Sequence, residues 1–207
     1  MFTIQNDKEI RINRVINQAY ESTNDHVQID IHEQHKVRLR TVLDSKSLTK
    51  DEKDEAIKYL TLIYDSDKVL YNKGTKRICE ICNKECLATL YCELCIRIYL
   101  EEQFSSWTPT NDVINSLIQK CQMETLKQDM VIEWIPYDNL QNIEYLKKGG
   151  CSKIYTADWI DGHYNEWDSK EKKLKRFGKR GVILKTLENN ENNDEWFEEV
   201  CNFVFLI

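Results

Sequence analysis

Leu146-Lys147-Lys148-Gly149-Gly150-Cys151-Ser152-Lys153-Ile154-Tyr155-Thr156-Ala157 and, further along, Val182-Ile183-Leu184-Lys185 decide how the C-terminal part of this 207-residue chain folds. Alternating apolar positions on both sides of a glycine pair predict two strands joined by a tight turn. Lys185 ends a second apolar run, which predicts a third strand. Glycines let backbone amides approach a ligand closely, and a strand-borne lysine adds a cation, so the pattern is one that presents donors to phosphate.

Outward from this stretch, composition bounds the rest. Apolar residues make up 41% of the chain and charged residues 31%, with only 6 glycines and 2 prolines, an ordinary helix-leaning globular composition. The net charge of −6 argues against general affinity for nucleic acid. No apolar run approaches membrane-spanning length, and the start lacks the pattern of a secretory signal, so the expectation is an intracellular, cytoplasmic protein with no membrane partner.

The N-terminal segment reads as a helical hairpin over residues 1–76. Ile12, Val15, Ile16, Ala19 and Tyr20 recur at helical spacing, with Asn6 or Asp7 as the cap. Val27, Ile29 and Ile31 alternate as in a strand and leave the middle of the segment open. His32 and His35, three apart, would share a helix face; metal ligation is one use, a solvated face the simpler one. Thr49 and Glu52 have capping-box spacing, Ala56, Ile57, Leu60, Ile63 and Tyr64 form the buried stripe of the second helix, and Gly74 is its expected stop. Charges flanking that stripe also suit a docking surface for a protein partner.

Residues 77–128 contain five of the chain's 8 cysteines. Cys79 and Cys82, then Cys92 and Cys95, form two CxxC pairs, and two such turns facing each other close a tetrahedral Zn²⁺ site. Because four thiolates leave no open coordination position, that zinc is structural. Reduced, merely buried thiols or a redox pair are the competing readings, and Cys86 is a fifth thiol able to replace a ligand. Ile98 to Phe104 extends the module as a helix. Val113, Ile114, Leu117, Ile118 and Cys121 mark another, capped by Thr110 or Asn111, and Met123 to Gln128 is a connector to the next domain.

Residues 129–207 begin with Val131 to Tyr137, read as a lead-in strand broken by Pro136. The Trp134, Ile135, Pro136 sequence, the glycine loop and Lys185 together resemble the start of a protein kinase domain, within a fungal tyrosine-kinase-like family that carries a helical, cysteine-rich leader. The resemblance implies an α+β chain: helical hairpin, zinc-ribbon-like module, then an incomplete kinase N-lobe with an antiparallel sheet and one helix. It implies ATP with Mg²⁺ as ligand. Leu146, Gly149, Gly150, Ser152, Ile154, Ile183 and Lys185 would line its site, with Gly149 under the phosphates, Ile154 over the adenine and Lys185 on the α- and β-phosphates. Glu199, or failing that Glu198, would pair with Lys185; the plainer alternatives are a solvated strand end and an exposed acidic face.

This sequence departs from the family pattern in stated places. Lys147 and Ser152 stand where the first and third loop glycines would be, Cys151 where an aromatic often caps the loop, and Ile183 where a small alanine faces adenine. The larger Ile183 predicts weakened purine binding. No His-Arg-Asp or Asp-Phe-Gly motif follows Lys185, so the expectation is a remnant or pseudokinase-like regulator that does not phosphorylate alone. The apolar ending Phe203 to Ile207 reads as a truncated or misjoined frame. The rival expectation is a non-enzymatic adaptor whose zinc module and helices bind another protein.

Overall fold

In the computed structural model the chain is α+β, and residues 2–24, 30–106, 112–148 and 152–187 are described. It divides into two compact units, Met1–Leu94 and Cys95–Ile207.

Three helices build most of the first unit: α1 (Phe2–Asn24), α2 (Ile31–Asp44) and α3 (Lys50–Tyr71). Their apolar stripes close one core of Ile12, Val15, Ile16, Ala19, Val42, Leu48, Ala56 and Leu60, with Tyr20, Leu39 and Ile57 packed against it. The predicted hairpin is thus corrected to three helices. Alternation through Ile31 resembled a strand, but the Asp30 carboxylate accepts from the His32 amide and starts α2 at Ile31; Val27 and Ile29 lie outside the described residues. Asn6 and Asp7 fall inside α1 and do not cap it.

α3 begins as its sequence predicts. Thr49 accepts from the Glu52 amide, and the Glu52 carboxylate accepts from the Thr49 amide. Glu52 also pairs with Arg11 of α1, which fastens the start of α3 to the first helix. The stop is Asn72 rather than Gly74: Asn72 takes the left-handed conformation at φ 49°, which asparagine tolerates at a helix end, and Gly74 follows at φ 104°. A short antiparallel hairpin, β1 (Arg77–Ile78) with β2 (Glu85–Cys86), then leads into the cysteine-rich loop.

The second unit begins within α4 (Glu93–Glu102) and continues with α5 (Asp112–Met123). The expected domain break at Met123–Gln128 is not where the chain divides. Arg97 donates to the Thr125 carbonyl, Gln122 donates to the Ile132 carbonyl at 2.7 Å, and Thr125 and Gln128 are buried, so this connector is tied on both sides within the second unit. The Thr110 and Asn111 cap lies outside the described residues.

Val131 to Pro136 forms no strand. Pro136 lacks an amide donor, and Tyr137–Asn139 turns as a short 3-10 helix, while Val131 is buried and Ile135 packs under the sheet. The sheet itself has three antiparallel strands, ordered β3 (Leu140–Lys148), β4 (Ser152–Trp159), β7 (Arg180–Leu187). These are the three strands predicted around the glycine pair and Lys185. Between β4 and β7 the basic insertion folds into its own hairpin, β5 (Tyr164–Asp168) with β6 (Lys173–Arg176). One sheet face is packed by Ala157, Trp159, Val182 and Leu184 against Ile135, Leu140 and Ile143.

Candidate functional site

Two CxxC turns bring four thiols together. The Sγ atoms of Cys79, Cys82, Cys92 and Cys95 all lie within 4.8 Å of one another. Cys79, Cys92 and Cys95 are buried, Cys82 is half-buried, and the Cys82 and Cys92 sulfurs are 3.8 Å apart. The local backbone explains the convergence. Cys79 follows β1, its amide bonding to the Lys84 carbonyl, and Asn83 turns the chain back at φ 55°. The Ile81 amide points at the Cys79 sulfur. Cys92 precedes α4 and Cys95 lies in its first turn, one CxxC spacing apart. Four close, mostly buried thiols in a tetrahedral-capable set fit a metal ion such as zinc, the donor chemistry that zinc prefers.

The loop between the two turns is held by charges that its own sequence does not contain. Asp65, fully buried on α3, accepts from Thr89 Oγ1 at 2.8 Å and from the Leu90 amide at 2.9 Å. Lys68, one turn on, donates to the Leu87 carbonyl at 2.7 Å and pairs with Asp65 at 2.8 Å. Glu93 accepts from the Leu87 and Ala88 amides, and Arg77 donates to the Ala88 and Tyr91 carbonyls. Residue spacing within α3 predicted only flanking charges here. The one signal was an i,i+3 acid and base beside an apolar stripe, which does not say what the pair grips. Cys86 lies beside the set, fully buried; burial is the main cause that pushes its thiol up, with the Arg77 charge opposing.

His32 and His35, both half-buried, meet Tyr64, and among the described residues neither belongs to a metal-capable cluster. His32 Nδ1 is 2.6 Å from Tyr64 Oη, and the His35 ring stacks on Tyr64 at 4.0 Å between centroids. Burial lowers the His35 pKa to about 4, so this imidazole is neutral at physiological pH.

In the second unit the strand register groups the predicted nucleotide residues. Ile154 pairs with Lys185 and Thr156 with Ile183 on β7, while on β3 Lys147 pairs with Ile154 and Glu144 with Thr156. Directly paired residues share a face, so Lys147, Ile154 and Lys185 form one row across three strands, with Thr156 and Ile183 in the next row on the same face. It is the face opposite the packed core, and Ile183 is 53% exposed. A hollow of about 400 Å³ opens there over Glu144, Thr156, Asp158, Gly181 and Ile183. Two bulges in β3 shape it; at the first, Asn142 takes φ 50° and donates to the Asp158 carboxylate. Leu146 lies at the second, more than half exposed, whereas Ser152 is buried rather than open to a ligand. Gly149, Gly150, Cys151, Glu198 and Glu199 lie outside the described residues.

No known family matches the chain, and neither any curated protein nor any solved structure does. Among the described residues no helix is long and apolar enough to cross a membrane.

Proposed function

We propose that the β3-β4-β7 sheet is the nucleotide-binding N-lobe of a protein-kinase-like protein, taking Mg-ATP on its uncovered face, and that the four cysteines hold one structural zinc ion. The observation that carries the nucleotide reading is the row Lys147, Ile154, Lys185: two lysines flank an apolar residue on one face, at the end of the sheet where β3 ends and β4 begins. Cations on this row suit the phosphates, and the apolar surface of Ile154 suits a flat base, which the larger Ile183 in the next row crowds. Lys185 would also meet Glu199, or Glu198, in the kinase arrangement. In this reading these 207 residues supply the nucleotide-binding part of a kinase-like fold; in kinases the base and the Mg²⁺ ligands come from His-Arg-Asp and Asp-Phe-Gly motifs that follow the N-lobe. Thiolates kept reduced for a metal suit a cytoplasmic setting.

Thermal shift with Mg-ATP tests the reading. Nucleotide should raise Tm of the wild type and leave Lys185→Met unmoved; a flat response in both proteins removes it. What then stands is the second reading, a zinc-containing protein-interaction adaptor. It is favoured by the exposed Leu70, Tyr71, Ile78 and Leu90, carried by α3, β1 and the cysteine loop of the first unit. Elemental analysis should find about one zinc per chain, absent from Cys92→Ser/Cys95→Ser.

A further inference from the structure

Cys92 has metal donors on two sides. Besides its place among the four cysteines, its Sγ lies within 4.8 Å of the Cys86 Sγ and of a Glu93 carboxylate oxygen, which are equally close to each other. All three residues are buried, Cys86 at 1% exposure. Two sulfurs and a carboxylate oxygen within reach of one point are a donor set that a thiophilic divalent ion takes. Glu93 is already aimed: its two oxygens accept from the Leu87 and Ala88 amides at 2.8 and 3.4 Å, which fixes the carboxylate beside Cys86 and leaves each oxygen a further lone pair.

We propose that Cys86, Cys92 and Glu93 form a second metal site for a thiophilic divalent ion, Zn²⁺ or Cd²⁺, joined through the Cys92 sulfur to the ion in the four-cysteine set. The inference rests on that four-cysteine reading, because the shared sulfur must already be a ligand to bridge. A thiolate has lone pairs for two d¹⁰ ions, and three protein ligands leave the second ion one position for water. The four-thiolate site fills first. With two fewer sulfurs and a harder oxygen ligand, the second site holds its ion more weakly.

Native mass spectrometry of the full chain, titrated with Cd²⁺ under reducing conditions and paired with the sulfur-to-cadmium charge-transfer absorbance, reads both sites. The wild type should take two ions and Cys86→Ala one, with saturating absorbance lower by about one-fifth as thiolate ligands fall from five to four. Glu93→Gln should keep the first ion and bind the second about 10-fold or more weakly. One ion in both wild type and Cys86→Ala, or two ions retained in Cys86→Ala, overturns this proposal and leaves the four-cysteine site standing. No ion in the wild type overturns both. Should Cys86→Ala lose the first ion as well, Cys86→Ser, close in size and a poor cadmium ligand, takes its place with the same expected counts.

Discussion

Asp65 and Lys68, one helical turn apart on α3 and both buried, grip opposite polar groups of the loop that separates the two CxxC turns: the acid takes Thr89 and the Leu90 amide, the base the Leu87 carbonyl. A buried pair whose members also satisfy backbone groups cannot be swapped for hydrocarbon cheaply, since the loop would keep unpaired donors and acceptors. Asp65→Ala should therefore cost about 3–5 kcal/mol by denaturant unfolding. The double variant Asp65→Leu/Lys68→Met should recover none of it, and both variants should weaken zinc retention against a chelator. Recovery in the double variant would mean that the charge pair, and not its hold on the loop, sets the stability.

The stacked His35–Tyr64 pair makes the first unit sensitive to acid. Burial chiefly, with Arg38 and Lys68 acting in the same direction and Asp65 against them, lowers the folded-state pKa of His35 to about 4 from the ordinary value of 6.5. Between those values the unfolded chain binds a proton that the folded chain refuses. The contribution is thus full above pH 6.5 and lost as pH falls toward 4, a change of at most about 3 kcal/mol. His35→Phe keeps the ring stack and removes the proton. Its stability should be flatter than that of the wild type across this window, and parallel curves for the two proteins would rule the effect out.

How much of this could be read from the chain depended on how local each cause was. Thr49 and Glu52 announce α3 because a capping box is complete within four residues, and the two CxxC pairs announce their turns for the same reason. Strands β4 and β7 were legible because Ala157 and Val182 alternate with residues of the opposite face. The β5-β6 hairpin was not: Trp167 and Leu174 are its only buried residues, set among lysines that a one-dimensional pattern reads as loop. Nor was the grip of α3 on the cysteine loop, which joins residues 19 positions apart from Lys68 to Leu87 and 25 apart from Asp65 to Leu90. In the sheet, Ile154, Ile183 and Lys185 were named from sequence and Thr156 was not, and that they share one face depends on the β3-β4-β7 register and on bulges that no spacing rule foresees.

Ile183 stands more than half exposed on the open sheet face, paired with Thr156 and beside the row that holds Lys185. If a base lies on that face, the branched side chain occupies part of its volume. Ile183→Ala should then tighten Mg-ATP binding by about 10-fold, roughly 1.4 kcal/mol, within the range by which excess volume disturbs a packed contact. Calorimetric titration of both proteins checks it. Equal or weaker binding by the variant would show that Ile183 is part of the floor and not an obstruction.

Arg176 anchors the β5-β6 hairpin, and its removal should cost more than its exposure suggests. The guanidinium donates to Glu133 at 2.6 Å and to the Gly162 carbonyl at 2.7 Å, and lies 4.1 Å over the Tyr164 ring. Glu133 is buried at 8% side-chain exposure; burial is the main influence raising its pKa, and Arg176 is the main influence opposing it. Arg176→Ala leaves that carboxylate without its cation and should destabilise by about 2–4 kcal/mol. Because the penalty is that of a stranded charge, Arg176→Ala/Glu133→Gln should be more stable than Arg176→Ala alone, and most clearly so at neutral pH, where the lone carboxylate would have to ionise or take up a proton. Additive losses in the double-mutant cycle would instead assign the anchoring to the ring stack and the Gly162 contact, which both variants lack.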